Sequence, residues 1–395
     1  MQKQTGFFKK KVDELKENDL NWKLRILSSG SSPNCVVDGK EVIMLCSNNY
    51  LGLSEHPKVK EAAMNAIKTH GAGSGSVRAI AGNMDLHFEL EKTIAEFKET
   101  ESALYYQTGY AANAGFLPAF LEEGDLVISD QLNHGSIIDG VRLSKAEKGI
   151  YKHTDMNDLK KVLEEAEGKN YNKVLIVTDG VFSMDGDIAP ADKIVELANQ
   201  FGAFTYIDDA HGDGVLGKNG RGIAHHFGVH GKLDVEMGTF SKAFGVVGGS
   251  LAGSKEMTEF AFNKSRTWLL SGSAPPATAA ACIAALRVCM EEDELFTKLW
   301  SNTNYFKKKL KEMGFDTGKS ETPITPVMIG ENSAAKKFSE RLYEEGVFAL
   351  PIIFPMVAQG TARIRTMITA AHEKEHLEHA LQAFEKIGKE LKVIK

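Results

Sequence analysis

The chain has 395 residues, room for one large core and a smaller second unit, and its 43% hydrophobic and 25% charged residues suit a soluble globular protein. Its 47 Lys and Arg against 53 Asp and Glu leave a net charge of −6, which gives no support to a nucleic-acid partner or an anionic membrane surface. Cys35, Cys46, Cys282 and Cys289 form no CxxC pair and are too sparse for a disulfide framework, so a reducing, cytoplasmic setting is expected.

In chain order, the opening MQKQTGFFKKKVDELKEN lacks the apolar run of a secretory signal. The first twenty or so residues read instead as a charged amphipathic helix carrying Phe7, Phe8, Val12 and Leu15. A hairpin follows, Cys35-Val36-Val37, a turn at Asp38-Gly39, then Val42 to Leu45. Ser54 is expected to cap a helix through Thr69, with Val59, Ala62, Ala63 and Ile67 on one face. Short apolar strands are expected at 103–106, 126–129, 174–178, 204–207, 235–239 and 249–252. Helical periodicity lies between several of them, as at 156–167 and 191–201. Such alternation means an α/β fold with a mostly parallel sheet covered on both faces, which binds ligands at the carboxyl ends of its strands.

Residues 267–286 run twenty positions without a charge, the length of a membrane span. They hold Ser271, Gly272, Ser273 and Pro275-Pro276 before a run of alanines, so a tight turn feeding a buried helix is expected. After about residue 290 charged helices at 293–313, 334–345 and 373–392 surround short strands at 326–329 and 363–366. The expected division is an N-terminal segment (1–53) that joins a small α+β domain (291–395), and a large domain (54–290). No repeat and no low-complexity linker is present.

Two patterns imitate binding motifs. Gly212-Asp213-Gly214-Val215-Leu216-Gly217 satisfies GxGxxG after a strand, but Lys218-Asn219-Gly220-Arg221-Gly222 follows where a dinucleotide site needs a helix. A tight irregular loop is the better reading. His225, His226 and His230 lack metal-ligand spacing with a carboxylate, and no metal is expected.

The chemistry concentrates at Gly238-Thr239-Phe240-Ser241-Lys242-Ala243-Phe244-Gly245, at a strand end. A lysine among small, hydroxylated and apolar residues is partly desolvated, which frees its amine as a nucleophile. Thr239 and Ser241 stand ready for a phosphate oxygen. The alternative is a surface lysine in a Ser/Thr turn. Other strand ends supply what a pyridoxal phosphate site needs. Asp208 is placed to pair with a protonated ring nitrogen, or else is a turn aspartate, and His211 follows three residues on. Thr108-Gly109-Tyr110 opens a helix whose first amides suit a phosphate dianion. His134, after another strand, can stack on a ring or be a loop histidine.

Seven segments in order, SNNYLGL (47–53), GAGSGSVRAIAG (71–82), DQLNHGSIIDGVRLSKA (130–146), TDGVFSMDGD (178–187), IDDAHGDGVLG (207–217), GTFSKAFG (238–245) and GTARIRTMITAAH (360–372), closely resemble the α-oxoamine synthases. That family condenses an amino acid with an acyl-CoA. The resemblance implies the fold-type I architecture of pyridoxal-phosphate-dependent transferases, with a mostly parallel seven-stranded sheet, and a homodimer with its site between subunits. It implies that Lys242 binds the cofactor covalently and later moves the α-proton. His134 would stack on the ring, Asp208 would pair with its nitrogen, His211 would lie at its phenolic oxygen, and Ser183 would line it. The amides of Gly109 and Tyr110, Thr239, and Ser271 and Gly272 of the partner subunit would hold the phosphate. Asn48 and Arg365 would grip the amino acid, and Arg25 would meet CoA or the acyl group.

Within the family, the likeness of NNYLGL, NHGSIIDGVRLSKAEK, TDGVFSMDGDIAP and ARIRTMITAAH, with Asn49, points to glycine C-acetyltransferase. Glycine and acetyl-CoA are therefore the expected substrates, in threonine and glycine metabolism. The alternative is 8-amino-7-oxononanoate synthase, which joins alanine to pimeloyl-CoA in biotin synthesis, or an enzyme with both activities. A non-catalytic cofactor-binding relative is opposed by the joint presence of Lys242, Asp208, His134 and Arg365.

Overall fold

The computed structural model describes residues 2–17, 20–21 and 23–395. Thirteen strands lie among them. The hairpin β1 (Asn34–Val37) and β2 (Lys40–Met44) turns at Asp38 and Gly39, both at positive φ. Then come β3 (Ser102–Tyr106), β4 (Leu126–Asp130), β5 (Glu147–Tyr151), β6 (Val174–Asp179), β7 (Phe204–Asp208), β8 (Val235–Thr239) and β9 (Gly249–Gly253). The last are β10 (Ile324–Gly330), β11 (Val347–Phe348), β12 (Leu350–Ile352) and β13 (Ala362–Met367).

Seven strands form one sheet in the order β3-β9-β8-β7-β6-β4-β5, parallel from β8 to β5, with β9 antiparallel to both its neighbours. Period-two alternation divides its side chains between two cores. Tyr105, Ile128, Ile176 and Ile207 face helices Asp85–Lys98, Met156–Glu167, Ala191–Phe201 and Pro276–Glu291. Tyr106, Val127, Val177, Tyr206 and Met237 face helices Gly109–Phe120 and Gly135–Leu143. Both faces are covered, so the strands read as continuous apolar runs. This is the fold-type I architecture that the resemblance implies.

The expected strands and the helices at 156–167 and 191–201 agree with the structure to within a residue or two. The seventh strand, β5, was not legible. It is an edge strand whose EKGIY sequence leaves Ile150 in solvent and offers no apolar run. Ser54 does not cap a helix. It sits in the short turn Leu53–Glu55, and the helix starts at Pro57, whose fixed φ suits a first helical position. Val59 is buried on that helix, but Ile67 is exposed.

The uncharged stretch is broken as expected, into a short helix Arg266–Leu269, a turn, and helix Pro276–Glu291 packed against Pro57–His70. Among the described residues no helix is long and apolar enough to cross a membrane. The N-terminal helix spans Gln2–Glu17 and leaves Phe7, Phe8, Val12 and Leu15 exposed; Met1, Asn18 and Asp19 of the expected helix lie outside the described residues.

Two three-stranded sheets complete the fold. β2 pairs with β1 and, in parallel, with β11, joining the N-terminal hairpin to the C-terminal region. β13 pairs antiparallel with β10 and β12. Phe306, Phe315, Phe338 and Phe384 centre the core beneath them, with helices Asp293–Glu312, Asn332–Glu344 and Lys374–Glu390.

Candidate active site

The carboxyl ends of β3, β4, β6, β7 and β8 converge on a cavity of about 220 Å³. After β3, Thr108 caps helix Gly109–Phe120, its hydroxyl accepting the Ala111 amide at 3.0 Å. The first amides of that helix have no intrahelical acceptor and stand at the cavity wall. Glycine at 109 keeps the helix start close to β8: a Cβ there would lie 2.8 Å from Met237 Cε and 3.3 Å from Thr239 Oγ1, so both side chains would have to give way. The Tyr110 hydroxyl points away and donates to Asp139 at 2.9 Å.

After β4, Asn133 donates to the Val177 carbonyl and accepts the Asp179 amide, locking the loop to β6. The His134 amide donates to Asp179 Oδ2 at 2.7 Å, and its ring Nδ1 meets Ser136 Oγ at 2.7 Å. Burial pushes the imidazole toward its neutral form. Asp179 and Asp208 are register partners on β6 and β7. Burial, followed by the neighbouring Asp208 charge, holds the Asp179 carboxyl well above the usual range. Asp208 is buried and accepts hydrogen bonds from Asn113 Nδ2 at 2.8 Å and from the Ala210 amide at 3.1 Å. His211 Nδ1 lies 2.8 Å from the Tyr50 hydroxyl. Burial, then the positive charges of Lys242 and Arg365, keep its ring neutral.

Lys242 follows β8 on a loop pinned by the buried rings of Phe240 and Phe244. Loss of water lowers its amine to about 8, with Asp208 and Asp179 opposing the shift. The Thr239 hydroxyl donates to the Gly248 carbonyl at 2.7 Å and accepts the Ser241 amide at 3.4 Å. Beside the cavity, β13 presents Arg365, whose Nε donates to the Ser183 carbonyl at 2.6 Å. Both its terminal nitrogens lie 3.3 Å from Asn48 Oδ1.

The structure thus brings Gly109, Tyr110, His134, Ser183, Asp208, His211, Thr239 and Lys242 to one cavity, with Asn48 and Arg365 at its edge. Sequence reasoning missed Tyr50, Asn113 and Asp179, although Tyr50 and Asp179 lie in motifs already singled out and Asn113 follows Thr108-Gly109-Tyr110 by three residues. Their spacing carries no rule, because their partners arrive from other strands. Ser271 and Gly272 are not in this cavity. The Gly272 carbonyl accepts from Gln107 Nε2 at 2.7 Å, and a Cβ at 272 would meet nothing within 4 Å. Nor is Arg25 there. Its guanidinium pairs with Asp38 and lies 4.2 Å from the centre of the Tyr343 ring, which satisfies its charge locally.

A larger cavity of about 730 Å³ opens at the amino ends of the strands, among Phe116, Phe120, Phe204 and Phe260. Its Lys173 is tied to Asp125 at 2.6 Å, so it offers no comparable free amine. The 212–217 glycines form an irregular loop, and His225 and His230 stack ring on ring at 4.6 Å.

The residues at the smaller cavity fit pyridoxal phosphate. A depressed lysine amine matches its aldehyde, a buried carboxylate its ring nitrogen, and open helix-start amides its phosphate.

A histidine clamp stands behind the site. His153 lies 3.0 Å from Asp130 Oδ1 through Nδ1 and 2.7 Å from Asp187 Oδ2 through Nε2. Burial opposes its charge, but the two carboxylates prevail and raise it from 6.5 to about 9. A raised pKa stabilises the fold fully below the unfolded value and ceases to do so as pH rises through about 9. The wild-type melting temperature should therefore fall between neutral pH and pH above 9, corresponding to about 2 kcal/mol. His153→Gln should melt lower at neutral pH and show no such fall, as differential scanning calorimetry would record.

Residues 40–384 match the family model for aminotransferase class I and II. An 8-amino-7-oxononanoate synthase of Thermoanaerobacter pseudethanolicus is 55% identical over 98% of both chains. The 8-amino-7-oxononanoate synthase 1 of Bacillus subtilis is 50% identical over 100% of both. Among solved structures, serine palmitoyltransferase from S. paucimobilis superposes with a TM-score of 0.92 at 31% identity, covering 97% of this chain and 96% of that one. These relatives overturn the expectation of a glycine C-acetyltransferase acting on glycine and acetyl-CoA. The motifs behind that expectation build chemistry common to the family and carry no record of the acyl group. Asn49 in particular is structural, donating to the Ser31 carbonyl at 3.0 Å and to Ser54 Oγ at 2.7 Å. With cavity, sheet and full-length relatives in agreement, the chain belongs to the aminotransferase class I and II family, as a pyridoxal-phosphate-dependent acyltransferase of the α-oxoamine synthase type.

Proposed function

We propose that this enzyme joins alanine to pimeloyl-CoA, releasing CoA and CO₂ and forming 8-amino-7-oxononanoate. The observation that carries the substrate pair is the 50–55% identity, over nearly the whole length of both chains, to synthases of that product. Bound pyridoxal phosphate supplies an electron sink for the pair left behind when an α-proton departs. Lys242 would hold the cofactor and, once freed, would take that proton on its Nζ; an amine lowered from 10.5 to about 8 is about one-tenth free base at pH 7, about 300-fold more than an ordinary lysine. Asp208, its own carboxylate fixed by Asn113 and the Ala210 amide, would keep a proton on the ring nitrogen. His134 would cover the ring, and neutral His211, held by Tyr50, would meet the phenolic oxygen. Among the described residues Arg365 has neutral hydrogen-bond partners, Ser183 and Asn48, and no ion-pair partner, and so offers an uncompensated guanidinium for the substrate carboxylate.

The same reading includes a cytoplasmic homodimer in which Ser271 and Gly272 of the partner subunit reach the phosphate. The position of this chain's own Ser271-Gly272 loop outside its cavity supports it. It also includes the division into a large cofactor-binding domain (54–290) and a small domain built from 1–53 and 291–395. CoA-thiol release by the cofactor-loaded enzyme tests the substrate pair. Alanine with pimeloyl-CoA should exceed glycine with acetyl-CoA in kcat/KM by at least about tenfold. A preference for the second pair overturns the proposal.

A further inference from the structure

Behind the cavity, the loop that follows Asp208 is fastened by a second set of charges. Lys98, at the end of helix Asp85–Lys98, is 3% exposed. Its ammonium lies 3.3 Å from Asp209 Oδ2, 2.8 Å from Asp213 Oδ1 and 2.9 Å from Glu236 Oε2. It also donates to the Arg221 carbonyl at 3.2 Å, and Asp209 Oδ2 accepts the Ile223 amide at 2.8 Å. One lysine therefore ties a helix end to β8 and to both ends of the 209–223 loop.

Three glycines of this region leave room for the cluster's carboxylates. A Cβ at Gly212 would lie 1.8 Å from Asp209 Oδ1, one at Gly222 would lie 2.0 Å from Asp209 Oδ2, and one at Gly238 would lie 2.2 Å from Asp213 Oδ2. In the run that imitates a dinucleotide motif, Gly212 thus faces a buried carboxylate, whereas Gly214 and Gly217 sit at positive φ against Ala243 and the Gly222 carbonyl.

The cluster's members alternate with the site's own residues. Asp209 follows Asp208, His211 lies between Asp209 and Asp213, and Glu236 and Gly238 lie on the strand that leads to Lys242. Around it also stand Arg221 and His225, which lie 3.2 and 3.6 Å from Glu99, with burial favouring the neutral imidazole of His225. Toward the cavity stand Asp179, Asp208, His134, His211, Arg365 and Lys242. Burial opposes the Lys98 charge, but Asp213, Glu236 and Asp209 hold it protonated, while burial pushes Asp209 and Asp213 upward.

We propose that Lys98 is a positioning residue for the cofactor site: by gathering Asp209, Asp213 and Glu236 it fixes the loop so that Asp208 and His211 face pyridoxal phosphate. A buried carboxylate group of this size holds its geometry only around a counter-ion, and removing one partner leaves charges that must take up protons or move. Either response displaces Asp208 or alters the field at Lys242, on which Asp213 already acts.

The inference rests on the site assignment above, and one titration separates the two. Wild type, Lys242→Ala, Lys98→Met and Lys98→Met/Asp213→Asn are titrated with pyridoxal phosphate, and the cofactor's absorbance is followed as a function of pH. Both Lys98 variants should bind the cofactor about tenfold more weakly, the size of a lost charged hydrogen bond. Their absorbance midpoint should move by about one pH unit, the size of a nearby charge change. The double variant, which leaves two carboxylates rather than three around the missing cation, should regain part of the melting temperature lost in Lys98→Met and still show both shifts. A merely structural lysine would change melting and neither of the others. Folded Lys98 variants with wild-type affinity and midpoint overturn the proposal. Should neither fold, Asp213→Asn, which keeps the ammonium and two carboxylates, decides by the same two readouts. A wild type without Lys242-dependent absorbance overturns the site assignment itself.

Discussion

Lys242→Ala is expected to lower kcat for CoA release from alanine and pimeloyl-CoA by about 10⁴-fold or more, because it removes a nucleophile and a proton carrier at once. Each role belongs to the same nitrogen, so neither can be kept without the other. Phe240 and Phe244 are buried independently of the lysine side chain and continue to pin the loop, so the variant should fold and melt close to wild type. The cofactor should still bind, since Asp208, His134 and the first amides of helix Gly109–Phe120 remain. It should bind reversibly, and gel filtration would remove it from Lys242→Ala but not from wild type. Added methylamine offers a further check, because a small amine can restore part of the proton transfer in the space the side chain leaves. Activity within tenfold of wild type would show that Lys242 does not carry the reaction.

The sheet was legible because strands covered on both faces are mainly apolar, and β3, β4, β6, β7, β8 and β9 each carry enough of such a run to be found. β5 escaped for the converse reason: its outer edge and one face meet solvent, so Glu147, Lys148 and Gly149 carry no signal. The charged and nucleophilic members of the site, Lys242, Asp208, His134 and His211, each lie at a strand end or just beyond one, and that position made them readable. Their supports did not share this property. Asn113 reaches Asp208 from mid-helix across 95 positions, and Tyr50 reaches His211 across 161. Lys98 carries no signal in the sequence, since a lysine in the last turn of a helix is ordinary, complementing the helix dipole. Only the fold shows it buried among three carboxylates. The choice of acyl substrate was illegible for another reason. The motifs report on the cofactor and on proton transfer, steps common to the family, whereas Asn49 serves only the local turn.

Asp208→Asn should have the second largest effect, lowering kcat by about 10²–10³-fold, the usual loss when a preorganised charge is removed from a dry site. The exchange is nearly isosteric, so packing against Tyr206 and Met237 is kept and the consequence is electrostatic. The Asn113 amide, now 2.8 Å from Asp208 Oδ2, would face either a carbonyl oxygen or another amide group. The first arrangement preserves that hydrogen bond and turns the new NH₂ toward the Ala210 amide and the cavity, where it can no longer hold a proton on a ring nitrogen. Asn113 has little freedom to adjust, because its own oxygen accepts the Tyr206 hydroxyl at 2.6 Å. Removing the carboxylate also takes away the largest charge that favours protonated Lys242, so the free lysine's pKa should fall below its present value of about 8. Two measurements thus bear on one substitution: kcat for CoA release, and the pH dependence of Lys242 modification by a soluble aldehyde in the cofactor-free protein. A lower kcat with the lysine titration moved to lower pH places the Asp208 charge at the centre of the site. An unchanged titration would mean that Asp208 does not act on Lys242, and that its hydrogen bonds to Asn113 and Ala210 serve the fold alone.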